Sequence, residues 1–233
     1  MTAMATRVRP ATRADAEEVG EVLAEAFEDH PWIRWAFGER PSRDRLAALY
    51  RLDAGVAGAE RRATWVAEQD GAVVAAACWT RPDAPELSPA TEELLSTQVP
   101  RLIGDRAERL AEADDCVARL LPAERHWFLG CVGTRPRWRG RGLATSLVAA
   151  GLADVDAQGA IAVLETSSAA NVRLYERLGF VVRAELDPPG GAPHVWLMER
   201  PAAGGRGETA EAQVERRAVD GAAGQVRALE QRR

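Results

Sequence analysis

The stretch HWFLGCVGTRPRWRGRGLATSLVAAGLADV, residues 126–155, constrains the fold more than any other part of the chain. It opens as an apolar run with little alternation, the pattern of a strand buried on both faces. Four arginines then alternate with proline, tryptophan and two glycines in RPRWRGRG, and an apolar run of helical character begins at Leu143. A buried strand feeding a helix through a glycine-rich turn commits the chain to a sheet with helices on its faces. Glycine lets a backbone come close to a ligand, and a helix start offers unpaired N–H groups with partial positive charge. The turn therefore reads as an anion site.

Three occupants compete for such a site: a nucleic-acid backbone, a nucleotide phosphate, or the pyrophosphate of coenzyme A. Composition weighs against the first. The 233-residue chain carries a formal charge of −5, which argues against a general nucleic-acid or anionic-membrane binder. An RNA-type arginine/glycine segment is also repetitive and polar, whereas this one lies between a buried strand and an apolar helix. All thirty basic residues are arginine, so the lysine of a P-loop is absent. The dinucleotide fingerprint fails too, because GRG is followed by Leu-Ala-Thr with no third glycine in register. What remains is Arg137-x-x-Gly140-x-Gly142, with strand before and helix after.

The rest of the chain fills out a mixed α/β order. Residues 8–12 read as a strand, and TRADAEEVGEVLAEAF as an amphipathic helix with Val19, Val22, Leu23, Ala26 and Phe27 on its apolar face. HPWIRWAFG reads as an aromatic loop or broken helix, since Pro31 disfavours helix at His30. A second helix is expected over residues 42–58. Two strand-like runs flank Gln69-Asp70-Gly71, a hairpin in which Asp-Gly supplies the positive φ angles. Residues 83–121 should be mostly helical, interrupted at Pro89, Pro100 and Gly104. After the helix from Gly142 to about Ala157 come strand 160–165, a short helix closed by Gly179, and two last strands, VVRAEL and HVWLMER. From residue 201 the chain loses its aromatics and most aliphatics, the composition of a disordered tail. The order is a mixed sheet with a helical insert between strands 3 and 4, in one domain over residues 7–200.

Cys78, Cys116 and Cys131 lie in apolar surroundings without paired or zinc-type spacing, so reduced, buried thiols and no metal are expected. MTAMATRVRP has no apolar signal core, and no run approaches the roughly 20 apolar residues of a membrane span. A cytoplasmic protein with no membrane partner is expected. His126 and His194 stand at strand ends and read as structural.

The motif and its surroundings resemble the GCN5-related N-acetyltransferases (GNATs). The resemblance rests on WFLGCVGT, RPRWRGRGLA, the helix, AVLETS and then NVRLYERLGF, whose Asn-x-x-x-Tyr-x-x-x-Gly-Phe is a second recurring family signature. It covers residues 7–200. Within the family the chain is similar to the puromycin N-acetyltransferases, through WFLGCVG, LETS, YERLGF, VRPATRAD and the loop at 26–31. The resemblance implies the GNAT fold with splayed central strands, acetyl-CoA as co-substrate and no metal. It implies acetyl transfer to a primary amine of a small molecule, including aminonucleosides such as puromycin, by direct attack in a ternary complex. A peptide N-acetyltransferase and a non-catalytic coenzyme A sensor stay open as alternatives, as do monomer and homodimer.

The resemblance also implies roles for particular residues. Gly140, Arg141, Gly142, Leu143, Ala144 and Thr145 would bind the pyrophosphate, with charge added by Arg137, Arg139 and Arg141. Val132, Gly133 and Thr134 would meet the pantetheine arm as a missing strand does. Tyr175 corresponds to the family's general acid, which protonates the departing thiolate. Asn171, one helical turn earlier, either bonds the cofactor or caps the helix. Glu165 ends a buried strand, where a carboxylate is costly unless paired or functional. It is therefore either the base for the incoming amine or the partner of an arginine. His30, Trp32 and Trp35 occupy the acceptor-pocket segment, where Phe37 and Trp196 are further candidates for stacking. Cys131 reads as a small apolar residue of the cofactor strand.

Overall fold

The structure is a computed structural model, and it describes residues 6–38, 40–58 and 62–203. Seven strands form one sheet in the order β1-β2-β3-β4-β5-β7-β6. They are β1 Arg7–Pro10, β2 Arg62–Gln69, β3 Ala72–Thr80, β4 His126–Thr134, β5 Ile161–Thr166, β6 Val181–Leu186 and β7 Val195–Arg200. Every neighbouring pair is antiparallel except β4 and β5. The proposed tail beyond residue 203 lies outside the described residues.

Two helical layers cover the sheet. Helix α1, Ala16–Phe27, and α3, Arg43–Tyr50, pack on one face. Here Val19, Val22, Leu23, Leu46, Val66, Val73, Ala76 and Cys78 form one core. Helix α6, Leu143–Ala157, covers the other face, and Trp79, Trp127, Leu147, Leu152, Leu164 and Met198 form the second core. Strand β3 serves both and is buried from Val73 to Trp79. A bulge opposite Ala67/Glu68 leaves Val74 unmatched, so side chains on either side of it change faces.

Local chemistry explains the element ends. Asp70 and Gly71 take φ of 55° and 79°, the turn that the Asp-Gly pair announces. Segment 31–37, expected as an aromatic loop or broken helix, is a short helix, α2, Pro31–Phe37. Pro31 sits at its first position, where the missing N–H has no intrahelical partner to lose, and His30 stays extended before it. After α3 the chain continues as a π-helical turn, Arg51–Ala57.

The insert between β3 and β4 is a helix pair, α4 Pro89–Ile103 and α5 Ala107–Ala118. Pro89 opens α4 behind the Ser88 cap, and Gly104 at φ 76° ends it. Pro100 was expected as a break, yet it lies inside the last turn of α4. Helix α7, Ala169–Glu176, closes at Gly179, φ 88°, whose N–H donates to Glu176.

The feature that positions the site is the parting of β4 from β5. They pair only from His126 to Leu129, whereas β4 stays on β3 as far as Thr134. The β3–β4 register skips Gly130, since Cys78 faces Cys131 and Trp79 faces Leu129. This bulge turns β4 away from β5 and leaves the far half of its edge unpaired.

Candidate active site

A cleft of about 480 Å³ opens where the strands part. That volume lies in the usual range for small-molecule sites. Gly130, Cys131 and Val132 form one wall, and Glu165, Thr166, Asn171 and Tyr175 the other.

On the β4 side, the N–H of Arg135 donates to Val74 across the β3–β4 ladder at 2.9 Å. Main-chain groups alternate in direction along a strand, so Gly133, two residues back, also turns its peptide groups toward β3. Val132 and Thr134 face the unpaired edge. The expected use of Gly133 as an edge group is therefore not what the register offers, and that glycine instead lies against Leu23 and Ala26 of α1.

The arginine–glycine turn ends in Gly140 and Gly142 at φ 75° and 76°, values that favour glycine. A Cβ on either would meet nothing within 4 Å, so open space lies before both. Gly142 caps α6, and Ser146 is the first residue to donate its N–H back into the helix. The N–H groups of Leu143, Ala144 and Thr145 are thus without intrahelical acceptors.

The arginines divide. Arg139 donates to the carbonyls of Thr134 at 3.4 Å and Ala26 at 2.9 Å, tying the turn to β4 and α1. Arg141 stacks over Trp138, 4.4 Å from the ring centre, and Arg137 is exposed. The expectation that all three add free charge holds least for Arg139, whose guanidinium is held by main chain.

Across the cleft, Tyr175 is 8 % exposed and packs edge-on against Phe180. Burial, with a smaller contribution from Cys131, pushes its hydroxyl up to about 12. Water reaches the Glu165 side chain through the mouth of the cleft. Enough protein still surrounds the carboxyl to hydrate it poorly, and this desolvation, followed by the charge of Asp114, raises it to about 7. The carboxyl is thus accessible but poorly hydrated. Among the described residues no arginine pairs with Glu165. Asn171 is not a cap, because Ser168 occupies that position, and its amide donates to the Thr166 hydroxyl at 3.3 Å.

The acceptor-side residues separate as well. His30 and Trp32 line the cleft, and burial lowers the His30 imidazole from its usual value. Trp35 does not line it, and its indole donates to the Gly190 carbonyl at 3.0 Å. Phe37 is buried in the α1–α3 core, and Trp196 packs on His194. Cys131 and Cys116 are only partly buried, unlike Cys78.

The model of the acetyltransferase (GNAT) family matches residues 21–180. The chain belongs to this family. It is an N-acetyltransferase by that membership, and GNAT folds bind acetyl-CoA. It superposes on a solved structure described as histone acetyltransferase HPA2 and related acetyltransferase from Corynebacterium glutamicum. There the TM-score is 0.67 and identity 29%, over 88% of this chain and 100% of the other. A polyamine N-acetyltransferase from Drosophila melanogaster has a TM-score of 0.56 at 16% identity, over 84% of this chain and 99% of the other. The ribosomal-protein-S18-alanine N-acetyltransferase of Escherichia coli has a TM-score of 0.51 at 16% identity, over 88% and 98%. These last two share the fold.

Sequence reasoning missed part of this GNAT cleft. Phe27, Tyr50, Asp53, Asp114 and Phe128 also line it. Asp114 belongs to α5, where Glu108, Glu112 and Asp115 lie close by in sequence, so nothing local singles it out. Of these, Phe27 and Phe128 stood within recognised stretches, the loop at 26–31 and WFLGCVG. No described helix is long and apolar enough to cross a membrane.

Proposed function

We propose that this GNAT enzyme transfers the acetyl group of acetyl-CoA to the primary amine of a small molecule, by direct attack within a ternary complex. The observation that carries the reading is the convergence on one cleft of an unpaired β4 edge, Tyr175 and Glu165, beside the α6 start. The residues present fit the coenzyme. Free N–H groups of Leu143, Ala144 and Thr145, with open space before Gly140 and Gly142, suit a diphosphate. The outward peptide groups of Val132 and Thr134 suit an amide-bearing arm laid along the strand. Bound acetyl-CoA supplies an activated acyl group.

The chain's own groups handle the protons. Glu165, raised to about 7, is near half ionised at neutral pH and accepts a proton from the incoming amine, directly or through water. The new N–C bond forms as the C–S bond breaks, and Tyr175 gives its proton to the departing sulfur. A phenol held at about 12 keeps that proton until the thiolate needs it. A strand N–H on β4 aimed at the acyl oxygen stabilises its developing negative charge. Thiol release from acetyl-CoA, screened against aminonucleosides with puromycin first, other amine antibiotics and short peptides, tests the reading. Release with a small amine supports it. Release with peptides alone selects the peptide acceptor, and coenzyme binding with no release under any acceptor selects the sensor.

A further inference from the structure

Among the described residues no arginine lines the cleft, while Asp53, Asp114 and Glu165 all do. The aromatic residues Phe27, Trp32, Tyr50 and Phe128 line it as well. The carboxyls of Asp114 and Glu165 make no ion pair or hydrogen bond among the described residues. The hydroxyl of Tyr175, a residue 8 % exposed and on the same cleft, also makes no hydrogen bond among them. Asp114 and Glu165 are both exposed to water in the free enzyme, so an acceptor that displaces this water from the cleft must supply the counter-charge that these carboxylates otherwise lack. Here desolvation, and then the neighbouring Asp115, raise the Asp114 carboxyl to about 6, so it is still mostly ionised at neutral pH.

We infer that the acceptor is a dication, an amine carrying a second cationic group, and that Asp114 is the specificity residue that holds that second charge. This narrows the acetyltransferase reading above and rests on it. One nitrogen lies at Glu165 and Tyr175, and as an ammonium it gives one proton to Glu165 before attack. After the N–C bond forms it gives up a second, which replaces the proton that Tyr175 hands to the departing sulfur, so that it ends as a neutral amide. The other stays charged, paired with Asp114 and flanked by aromatic faces that favour a cation. An acceptor with a single ammonium, a simple aminonucleoside included, becomes neutral as it reacts and leaves Asp114 without a partner. Asp114 comes from α5 of the insert, whereas Glu165 comes from the sheet. The two charges of the acceptor would thus be read by separate parts of the fold.

The test compares kcat/KM for short α,ω-diamines with that for monoamines of equal length. The wild-type enzyme should favour the diamines by roughly 10–100-fold, the range of one charge-assisted hydrogen bond. Asp114→Asn should bring the ratio close to one, chiefly through the KM of the diamine, and Asp114→Glu should restore most of it. Asp115→Asn removes the same charge outside the cleft and should leave the preference in place. Calorimetry with acetyl-CoA checks that each variant is folded. A wild-type ratio near one, or a preference that survives Asp114→Asn, overturns the proposal. Acetylation of aminonucleosides without any of diamines overturns it and spares the wider reading, whereas no thiol release with any amine overturns both.

Discussion

Tyr175 is buried and Glu165 open to water on the same cleft, and desolvation shifts both in the direction that the proposed reaction requires. It holds the phenol's proton on and lets the carboxyl take one near neutrality. Tyr175→Phe keeps the ring against Phe180 and removes only the proton donor. Turnover should fall by roughly 10²–10⁴-fold, with acetyl-CoA affinity by calorimetry unchanged. Glu165 must be ionised to act as base, so activity should rise with pH and level off above about 7. In Glu165→Gln that limb should be lost from the kcat/KM profile together with most of the rate. Tyr175 was legible in the sequence because its spacing to Asn171 and Gly179 is a signature. The chemistry of Glu165 was only half legible. LETS marked it as a carboxylate at a strand end, but its lack of an arginine partner is a matter of what the fold brings near.

At the scale of elements, helix α6 joins both halves of the design. Its first turn faces the open side of the glycine turn, and its middle packs on Trp79. A Cβ on Gly151 would collide with the Trp79 indole nitrogen, which is buried and has no hydrogen-bond partner among the described residues. Gly151→Ala should therefore destabilise the protein by about 1–3 kcal/mol in urea titrations, although alanine is the better helix former. Gly142→Glu places a side chain at φ 76° and a negative charge among the free N–H groups. Calorimetry should find acetyl-CoA binding abolished while the far-ultraviolet circular dichroism persists.

The β1–α1 junction is a third such joint. Asp15, 8 % exposed, accepts from the Thr12 N–H at 2.6 Å and its hydroxyl at 2.7 Å, and pairs with Arg9 at 2.8 Å. The Arg9 bond, and secondarily Thr12, hold its carboxyl below the usual range despite burial. A depressed folded-state pKa stabilises above the unfolded value, near ~3.9, and the effect is lost as pH falls through the folded one. Asp15→Asn should cost about 1.5–3 kcal/mol at neutral pH, with the difference from wild type shrinking in strong acid.

Across the whole molecule, the cleft exists because a parallel pair in an otherwise antiparallel sheet separates part-way along. The insert then brings an acidic helix to the opening. With a chain charge of −5 and carboxylates lining the cleft, the proposed dicationic acceptor would be drawn in by a field that salt screens. The KM for a diamine should therefore rise with ionic strength more steeply than that for a monoamine, a difference steady-state kinetics reads directly.

By itself the sequence determined what depends on neighbours along the chain. The Asp70-Gly71 hairpin, the strand–glycine–helix turn at 126–157 and the α7 signature with its closing glycine are local patterns of φ, capping and periodicity. Even so, the fate of Pro100 escaped local reading, since a proline's position within a turn decides whether it breaks a helix or fits one. Tertiary structure decided which peptide groups of β4 stay unpaired, that Arg139 binds carbonyls of Thr134 and Ala26, and that Trp35 turns to Gly190. It also set Asp114 of α5 close enough to Glu165 for the charges to interact. Such outcomes follow from hydration, register and long-range contact, which no window of adjacent residues contains.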